Sequence, residues 1–371
     1  MSPNTPETPA PILRPKMPEL DTIRGLAILG VFLYHALYCL PDLASWSQPS
    51  RLLLTATWPG QKGVNLFFVL SGFLITGILM ESQSRPRYYF RFYKRRALRI
   101  LPVYLVMVVI LGVTKFASPS FLVLSLLYLS NVTPLFGIPI GYPVLWSLAV
   151  EEHFYLLWPL ICRNLSAKKL MMMCAGIIFL SPVSRYVSFL LTPKSGEDFH
   201  IYEYTWNSLD GLACGALLAL ILRQVQVTRR QLAGSSIALL VGGPVLMCIT
   251  IPAGILSIQR PVGAAFQPTL LNFCFTGLLG LFLAAGSGEY AKLVQIKFLQ
   301  FLGYISYGLY LFHEFVLTMY DKAAASEWHY VQAPNDIGHL LARMLVAGGV
   351  SVTAAFVSRK YFEDRFLRLK D

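Results

Sequence analysis

Ten apolar runs, each near 20 residues long, follow one another along the 371-residue chain. A helix needs roughly 20 apolar residues to cross the about 30 Å of hydrocarbon in a bilayer, so each run is long enough to span. Only 13% of the residues are charged and the mean hydropathy is +0.57, which leaves too little polar surface for a water-soluble globule. The runs lack the alternating pattern of a membrane β-barrel, whereas a helix satisfies its own backbone hydrogen bonds in lipid. The sequence therefore predicts an all-α fold, a polytopic integral membrane helical bundle of ten transmembrane helices. They are expected at about 22–40, 64–80, 98–114, 145–162, 170–191, 206–222, 233–251, 268–285, 298–320 and 338–357.

The positions of Lys and Arg predict which helix ends face the cytoplasm, because basic residues collect in cytoplasmic loops. A further apolar run at 120–130 is too short to cross comfortably. If that run crossed, the basic loops at 163–169 and 223–230 would both lie outside, against this rule. We therefore predict a multi-pass protein of the cell inner (cytoplasmic) membrane with both termini in the cytoplasm. The segment 115–144 is then an outer loop that holds a short helix or a re-entrant piece.

The two ends of the chain differ from the middle in composition. Residues 1–20 are rich in proline and cannot build a core, so they are expected to form a disordered cytoplasmic tail. Residues 21–358 contain all ten runs and form the predicted transmembrane domain. Residues 359–371 are predicted to be a basic cytoplasmic tail.

Composition and motifs also argue against several classes of protein. The net charge of +12 is accounted for by orientation and by attraction to anionic membrane lipid, so no nucleic-acid partner is expected. The chain has no Walker loop, no G-x-S-x-G elbow and no H-E-x-x-H, which argues against an ATPase, a serine hydrolase of that type and a zinc protease. The cysteines show no paired spacing, so neither disulfides nor a metal site is expected. They are Cys39, Cys162, Cys174, Cys214, Cys248 and Cys274.

The first span carries ionisable residues at both ends. Asp21 and Arg24 lie at its inner end, and His35 follows Arg24 by eleven residues, about 16 Å further along a helix. Ionisable groups inside a membrane are costly and usually functional. An imidazole suits proton transfer, which makes His35 a candidate general base. The alternatives are a packed histidine that bonds to a neighbouring helix, and an interfacial anchor for Asp21 and Arg24.

The loop before the third span holds seven basic residues between 85 and 99 and no acidic residue. Arg96 and Arg99 stand three apart, so they share one helix face at the membrane boundary. Planar guanidinium groups bind phosphate oxygens at two points, which suits an anionic ligand. Orientation and lipid headgroup binding are the alternative role.

Two later spans also contain polar side chains. Glu151, Glu152 and His153 enter the span at 145–162, and Glu151 shares a helix face with Tyr155. At least one of the two carboxylates is expected to have only an interfacial role. Near the end of the chain, three polar residues lie roughly along one face of a predicted helix, and the topology places His313 in the outer half of the membrane. The alternative to a functional role for His313 is a structural hydrogen bond. The three residues are Ser306, Tyr310 and His313.

At these residues the chain resembles the acyltransferase family 3 membrane proteins, integral-membrane acyl transferases that act largely on cell-surface glycans. The resemblance rests on five motifs in the family's order between about 20 and 315. They are LDTIRGLAILGVFLYHA, GVNLFFVLSGFLITGIL, FYKRRALRILPVYL, LWSLAVEEHFYLLWP and SYGLYLFH.

The resemblance implies roles for several of these residues. His35 matches the essential histidine of the first span, and Arg24 an essential arginine. Arg96 and Arg99 match the Arg-x-x-Arg pair associated with the acyl donor. Glu151 matches the motif carboxylate. Its partner stays open, because His153 stands where the family often has Gln.

The resemblance also implies substrates and a partner. Acyl-CoA, by frequency acetyl-CoA, is the expected donor, and the expected acceptor is a hydroxyl of a cell-surface or lipid-linked glycan. Many relatives append a soluble SGNH esterase-like domain, whereas this chain stops at Asp371. A stand-alone transferase is expected, and any second transfer step would need a separate periplasmic transferase.

These observations combine into one mechanistic hypothesis. Acyl-CoA rests its phosphates on Arg96 and Arg99, and its pantetheine arm reaches toward His35. His35 then acts as general base on a sugar hydroxyl, or takes the acyl group itself, with a carboxylate orienting its other ring nitrogen. Glu151 and His313 are expected to meet His35 in the outer half. The alternative function is a proton-coupled secondary transporter.

Overall fold

The computed structural model describes residues 11–38, 48–192, 201–257, 259–327 and 337–370. Within these ranges the regular structure is helical and no β-strand occurs, which confirms the predicted all-α bundle. The helices are α1 Pro18–Leu33, α2 Gln48–Ala56, α3 Gly63–Ser82, α4 Tyr88–Val113, α5 Pro119–Leu126, α6 Leu145–Asn164, α7 Ala167–Leu191, α8 Thr205–Gln224, α9 Arg229–Thr250, α10 Pro261–Ala285, α11 Ala291–Val294, α12 Lys297–Glu327, α13 Ile337–Val357 and α14 Asp364–Leu367.

Eight helical stretches in the described ranges are long and apolar enough to cross a membrane. A multi-pass membrane protein is therefore confirmed. The two other predicted spans coincide with α6 and α12, helices of 20 and 31 residues that are not among the eight. Because α6 carries Glu151 and Glu152 in its middle, its mean hydropathy falls. The number of ten crossings stays a prediction. The eight stretches are Pro18–Leu37, Leu54–Ser82, Tyr88–Val113, Ala167–Leu191, Thr205–Gln224, Arg229–Thr250, Pro261–Ala285 and Leu340–Leu367.

The segment 115–144 contains the short helix α5, in agreement with the predicted short helix or re-entrant piece. Ser118 caps it by accepting a hydrogen bond from the backbone N–H of Phe121 at 3.3 Å. Tyr104 on α4 donates to the carbonyl oxygen of Ser125 at 2.7 Å. This bond fixes the segment against the bundle.

The two predicted tails contact the bundle where the structure describes them. Residues 1–10, like Cys39, lie outside the described residues. Ile12 and Leu13 pack against a buried cluster of α1, α3, α8, α9 and α10, and Arg14 forms an ion pair with Glu19. At the other end, a π-helix at Ser358–Glu363, then α14 and a 3₁₀-helix, continue the helical path beside α4.

Two helix packings position the site. Gly25 on α1 lies against the backbone of Leu299, and Gly303 on α12 lies against the backbone of Asp21. A side chain at either glycine would meet a carbonyl oxygen, so both glycines are needed for the close approach of α1 and α12. The central helix α3 packs in turn against α1, α6, α8 and α10. Helix α1 therefore packs against both α3 and α12.

Candidate active site

A cavity of about 170 Å³ lies between α1, α3, α4, α6 and α12. It is called the inner cavity because the sequence predicts that this end of α1 faces the cytoplasm. It gathers most of the residues that the sequence singled out, from five separate helices. Its polar lining consists of Arg24, Ser71, Arg96, Arg99, Ser147, Glu151, Tyr155, Ser306, Tyr307 and Tyr310. The rest of the lining is apolar, so this part of the cavity suits a flexible segment of a ligand that carries few charges.

Three arginines concentrate positive charge at this inner cavity. Arg24 is bonded to Asp21, with Nη1 and Oδ1 2.5 Å apart. Arg96 stacks its guanidinium over the ring of Tyr155, 3.8 Å from the ring centroid. Arg99 is exposed to the cavity and forms no ion pair with any described residue. Arg24 and Arg96 lie close enough to repel it. An anion in this cavity would relieve that repulsion.

Glu151 belongs to the inner cavity. Its two carboxylate oxygens accept one hydrogen bond each, from Ser71 Oγ at 2.8 Å and from the Tyr155 hydroxyl at 2.7 Å. Tyr155 therefore joins Glu151 to the guanidinium of Arg96. The expected meeting of Glu151 with His35 is wrong, because these partners hold the carboxylate toward the arginines.

An outer cavity of about 280 Å³ lies at the other end of α1 and contains His35. Val64, Phe68 and Tyr310 line both cavities and form the partition between them. Tyr310 also shares a hydrogen bond with Ser147 at 2.5 Å. The partition is therefore two apolar side chains of α3 and one tyrosine of α12. Besides Phe68 and Tyr310, the charged and aromatic lining of the outer cavity consists of Tyr34, His35, Lys62, Trp146, Arg185, Tyr202, Glu203 and Asp210.

The structure brings His35 and His313 together, as predicted. The Nδ1 atom of His35 lies 3.2 Å from Nε2 of His313, and the ring centroids are 5.0 Å apart. The same Nδ1 lies 2.9 Å from the carbonyl oxygen of Val31. No carboxylate of a described residue orients the His35 ring. The expected orienting carboxylate is wrong, because a second imidazole and a backbone carbonyl take its place.

This hydrogen-bond network assigns the tautomers of both rings. The Nδ1 atom of His313 lies 3.0 Å and 2.9 Å from the carbonyl oxygens of Leu309 and Tyr310. Carbonyl oxygens only accept, so this nitrogen carries the proton and Nε2 of neutral His313 accepts. His35 Nδ1 is then the donor. In neutral His35 the remaining lone pair is on Nε2, the nitrogen that a general base needs.

A π-helix at Tyr34–Tyr38 carries His35, and an arginine from α13 holds it. A π-turn changes the helical register and leaves carbonyl oxygens without their usual partners. Arg343 donates through Nη1 to the carbonyl oxygens of His35, at 3.3 Å, and of Ala36. Asp321 fixes the same guanidinium at two points, 2.7 Å and 2.8 Å. The Asp321–Arg343 pair therefore holds the backbone that orients the histidine.

The remaining predicted residues divide between the cavities and the scaffold. Ser306 donates to the carbonyl oxygen of Gly303 at 2.9 Å while lining the inner cavity. His153 lies outside both cavities and shares a hydrogen bond with Thr205 at 2.7 Å, so it ties α6 to the start of α8. It is not the partner of Glu151. Glu152 is half-buried and lines neither cavity.

Sequence reasoning missed a buried ion pair in the outer cavity. Arg185 on α7 and Asp210 on α8 are almost fully buried, with Nη2 and Oδ2 2.9 Å apart. Thr269 accepts from Arg185 at 2.5 Å and donates to Asp210 at 2.7 Å. The signal was present, because both residues, like Arg343, are ionisable groups inside predicted spans.

Comparison with known proteins decides the family. A model of the acyltransferase domain, acyltransferase family 3, matches residues 17–359. The chain belongs to acyltransferase family 3. This confirms the resemblance that the five motifs indicated and the expected class of enzyme, an acyltransferase.

Two curated relatives illustrate the similarity. The peptidoglycan O-acetyltransferase OatA of Listeria monocytogenes is 28% identical over 82% of this chain and 50% of its own length. The O-acetyltransferase OatA of Staphylococcus aureus is 27% identical over 85% of this chain and 52% of its own length. The chain thus spans about half the length of the curated relatives it matches. No solved structure matches it significantly.

Proposed function

We propose that the protein is a membrane O-acyltransferase that moves an acyl group, by default acetyl, from cytoplasmic acyl-CoA to a hydroxyl of a cell-surface or lipid-linked glycan. The observation that carries the proposal is the division into two cavities. One cavity gathers three arginines, and the other presents a histidine whose Nε2 is free to accept a proton. The names of both relatives support acetyl as the acyl group, and peptidoglycan in the name of the Listeria relative supports a cell-wall glycan as the acceptor.

The inner cavity fits the donor. CoA carries phosphates at one end and an uncharged pantetheine arm at the other. Arg96 and Arg99 would hold phosphate oxygens, and the apolar remainder of the cavity would take the arm. A basic groove continues from this cavity past Arg85, Arg91 and Arg95, and it also contains Arg96 and Arg99. The nucleotide therefore has a basic path that leads away from the cavity.

The outer cavity fits the acceptor and the proton transfer. In the direct route, His35 Nε2 takes the proton of the acceptor hydroxyl while that oxygen attacks the thioester carbonyl. The carbon–sulfur bond breaks, CoA leaves as the thiolate, and the imidazolium returns the proton to sulfur. In the covalent route, Nε2 attacks the thioester carbonyl first, the carbon–sulfur bond breaks and CoA leaves as the thiolate. The acceptor hydroxyl then attacks the acyl-imidazole, the carbon–nitrogen bond breaks, and the hydroxyl proton passes to the freed Nε2 and from there to the thiolate. Both routes need the thioester to reach the partition of Val64, Phe68 and Tyr310.

Purified full-length protein in nanodiscs with radiolabelled acetyl-CoA tests the activity. Acyl transfer predicts release of CoA and labelled product in an acceptor-dependent reaction, and His35→Gln should abolish both. A transporter would bind or move a substrate without any release of CoA. If the wild-type protein released no CoA either with or without cell-wall glycan, the proposal would be wrong.

The proposed sidedness has a separate test. In a background whose native cysteines are replaced by serine, single cysteines at the exposed positions Ser84, Ser120 and Ser166 report on three segments. With both termini in the cytoplasm, only the Ser120 variant should react with an impermeant thiol reagent on intact cells. Labelling of the Ser166 variant from outside would reverse the sides of every later helix.

A further inference from the structure

Besides His35, the outer cavity is lined by two cationic side chains, Lys62 and Arg185, and they differ in their partners. Arg185 is fully compensated: it is paired with Asp210 and donates to Thr269 and to the carbonyl oxygens of Ala265 and Asn207, at 2.8 Å and 2.5 Å. Its hydrogen-bonding capacity is used inside the protein. Arg185 therefore supports the cavity wall and has little capacity left for a ligand.

Lys62 is the second cation and has no such partners. It lies at the end of the 3₁₀-helix Trp58–Lys62 and lines the same cavity as His35. It forms no ion pair with any residue that the structure describes. Its one recorded contact is weak, with the ammonium 5.9 Å from the ring centroid of Tyr202. Removing an ammonium from bulk water without a counter-ion is unfavourable, so such a group is poised for an anionic ligand.

The backbone that carries Lys62 is held firmly against α1. Gly60 packs directly on the backbone of Gly30, so close that a side chain there would meet the carbonyl oxygen of Gly30. Gly63, the next residue after Lys62, packs in the same way against Ala27. Lys62 and His35 are thus both fixed to the later half of α1. A ligand held by the ammonium would have a defined position relative to the histidine.

The other lining groups suit one sugar ring. The cavity volume of about 280 Å³ is near the lower end of the roughly 300–1,000 Å³ of small-molecule sites. Tyr34, Trp146 and Tyr202 offer flat apolar faces, and Gln61 offers an amide. Burial raises the pKa of Tyr202 to about 12, so its hydroxyl keeps its proton at neutral pH.

We propose that Lys62 binds a carboxylate of the acceptor, so that the outer cavity selects an acidic sugar and presents its hydroxyl to His35. The role of the acid group as part of an acceptor rests on the proposed function. The binding of an acidic sugar beside Lys62 does not, and it can be measured without turnover.

Three methyl glycosides separate charge from shape. They are N-acetylmuramic acid, its methyl ester, and N-acetylglucosamine, which lacks the lactyl ether. Their equilibrium binding to the full chain in nanodiscs is measured by thermal shift and by displacement of radiolabelled acid sugar. Wild-type protein should prefer the acid to the ester by about tenfold, which corresponds to about 1.4 kcal/mol. Lys62→Gln should remove that preference, and Lys62→Arg should keep most of it.

Lys115→Gln is the matched control, because it removes the same charge from an exposed position that does not line the cavity. It should keep the wild-type preference. Equal binding of acid and ester by wild type, a preference that survives Lys62→Gln, or no binding of any of the three sugars would each overturn the proposal. Release of CoA from acetyl-CoA, measured in the same samples with cell-wall glycan as acceptor, reports separately on the proposed function.

Discussion

The inner and outer cavities share a wall but handle charge in opposite ways. In the inner cavity Arg99 forms no ion pair with any described residue, and two further arginines lie near it. In the outer cavity Arg185 is matched by Asp210, and His35 faces a second histidine rather than a carboxylate. The contrast shows how one bundle can favour a polyanion at one end of a helix and keep a neutral base at the other.

The position of Glu151 in the inner cavity supports the same difference in charge between the two cavities. Glu151 accepts from Tyr155, which lies under the guanidinium of Arg96. A carboxylate beside the arginines positions and partly compensates them, whereas a carboxylate beside His35 would favour a charged imidazole. The protein therefore places its motif carboxylate beside the arginines of the inner cavity and not beside His35. Substitutions in each cavity test this difference between them.

The largest effect should follow substitution of His35. His35→Gln keeps a side-chain donor for His313 but removes the basic Nε2. The rate of acyl transfer should fall by roughly 10²–10⁴-fold, the usual contribution of a general base. The affinity for acetyl-CoA should stay unchanged, because the donor's phosphates would lie in the other cavity. Turnover and donor binding are measured on the same preparation.

His153→Gln is the control for that change. His153 lies outside both cavities, and glutamine can still bond to Thr205. Its turnover should stay near that of wild type. If His35→Gln retained wild-type turnover, the outer cavity would lose its proposed role as the site of proton transfer.

The second prediction concerns the inner arginines. Arg96→Lys loses the planar stack on Tyr155, and Arg99→Lys would lose the proposed two-point contact to phosphate, although both keep the charge. The KM for acetyl-CoA should rise roughly tenfold or more, equivalent to about 1.4 kcal/mol or more of binding. Arg87→Lys, at an exposed position that lines neither cavity, should leave the KM unchanged. If none of the three substitutions changed the KM, Arg96 and Arg99 would serve only to orient the protein in the membrane.

Much of this arrangement was predictable from sequence. Long apolar runs gave the helices, because in lipid a helix is the simplest way to satisfy the backbone. The five motifs pointed to the cavity residues, and the topology placed His35 and His313 at the same depth. The spacing of residues along separate helices did not predict which carboxylate meets which cation. That pairing depends on helix rotation, so the assignment of Glu151 to His35 was wrong.

Other ionisable residues in and behind the outer cavity were missed although the rule that found His35 applies to most of them. Arg185, Asp210 and Arg343 are each ionisable residues inside a predicted span. Lys62 lies two residues before one. The π-helix at Tyr34–Tyr38 has no comparable sequence signal, and the arginine that bonds to its carbonyl oxygens comes from α13, far away in the sequence. The roles of these residues and the position of the π-helix therefore become visible only in the contacts between helices.

The third prediction tests that contact. Arg343→Lys cannot donate to two carbonyl oxygens while also bonding Asp321 at two points. A small displacement of His35 should lower kcat by about tenfold, because catalysis depends strongly on the placement of the base. The KM for acetyl-CoA should not change. A parallel loss of donor affinity would indicate a general disruption of the fold. Arg365→Lys, at an exposed position, is the control and should have no effect.

The smallest effect is expected at the groove that continues from the inner cavity. Arg91 lines this groove and is exposed, so a single phosphate contact there should contribute only about 0.2–1 kcal/mol. If the groove holds the nucleotide, Arg91→Gln should weaken acetyl-CoA by about threefold, which is roughly 0.6 kcal/mol. Acetyl-dephospho-CoA lacks one phosphate and should be affected less. Arg87→Gln removes the same charge outside the groove and should change neither donor. A lipid headgroup in the groove would predict the same small change for both donors, and that result would confine the donor's phosphates to Arg96 and Arg99.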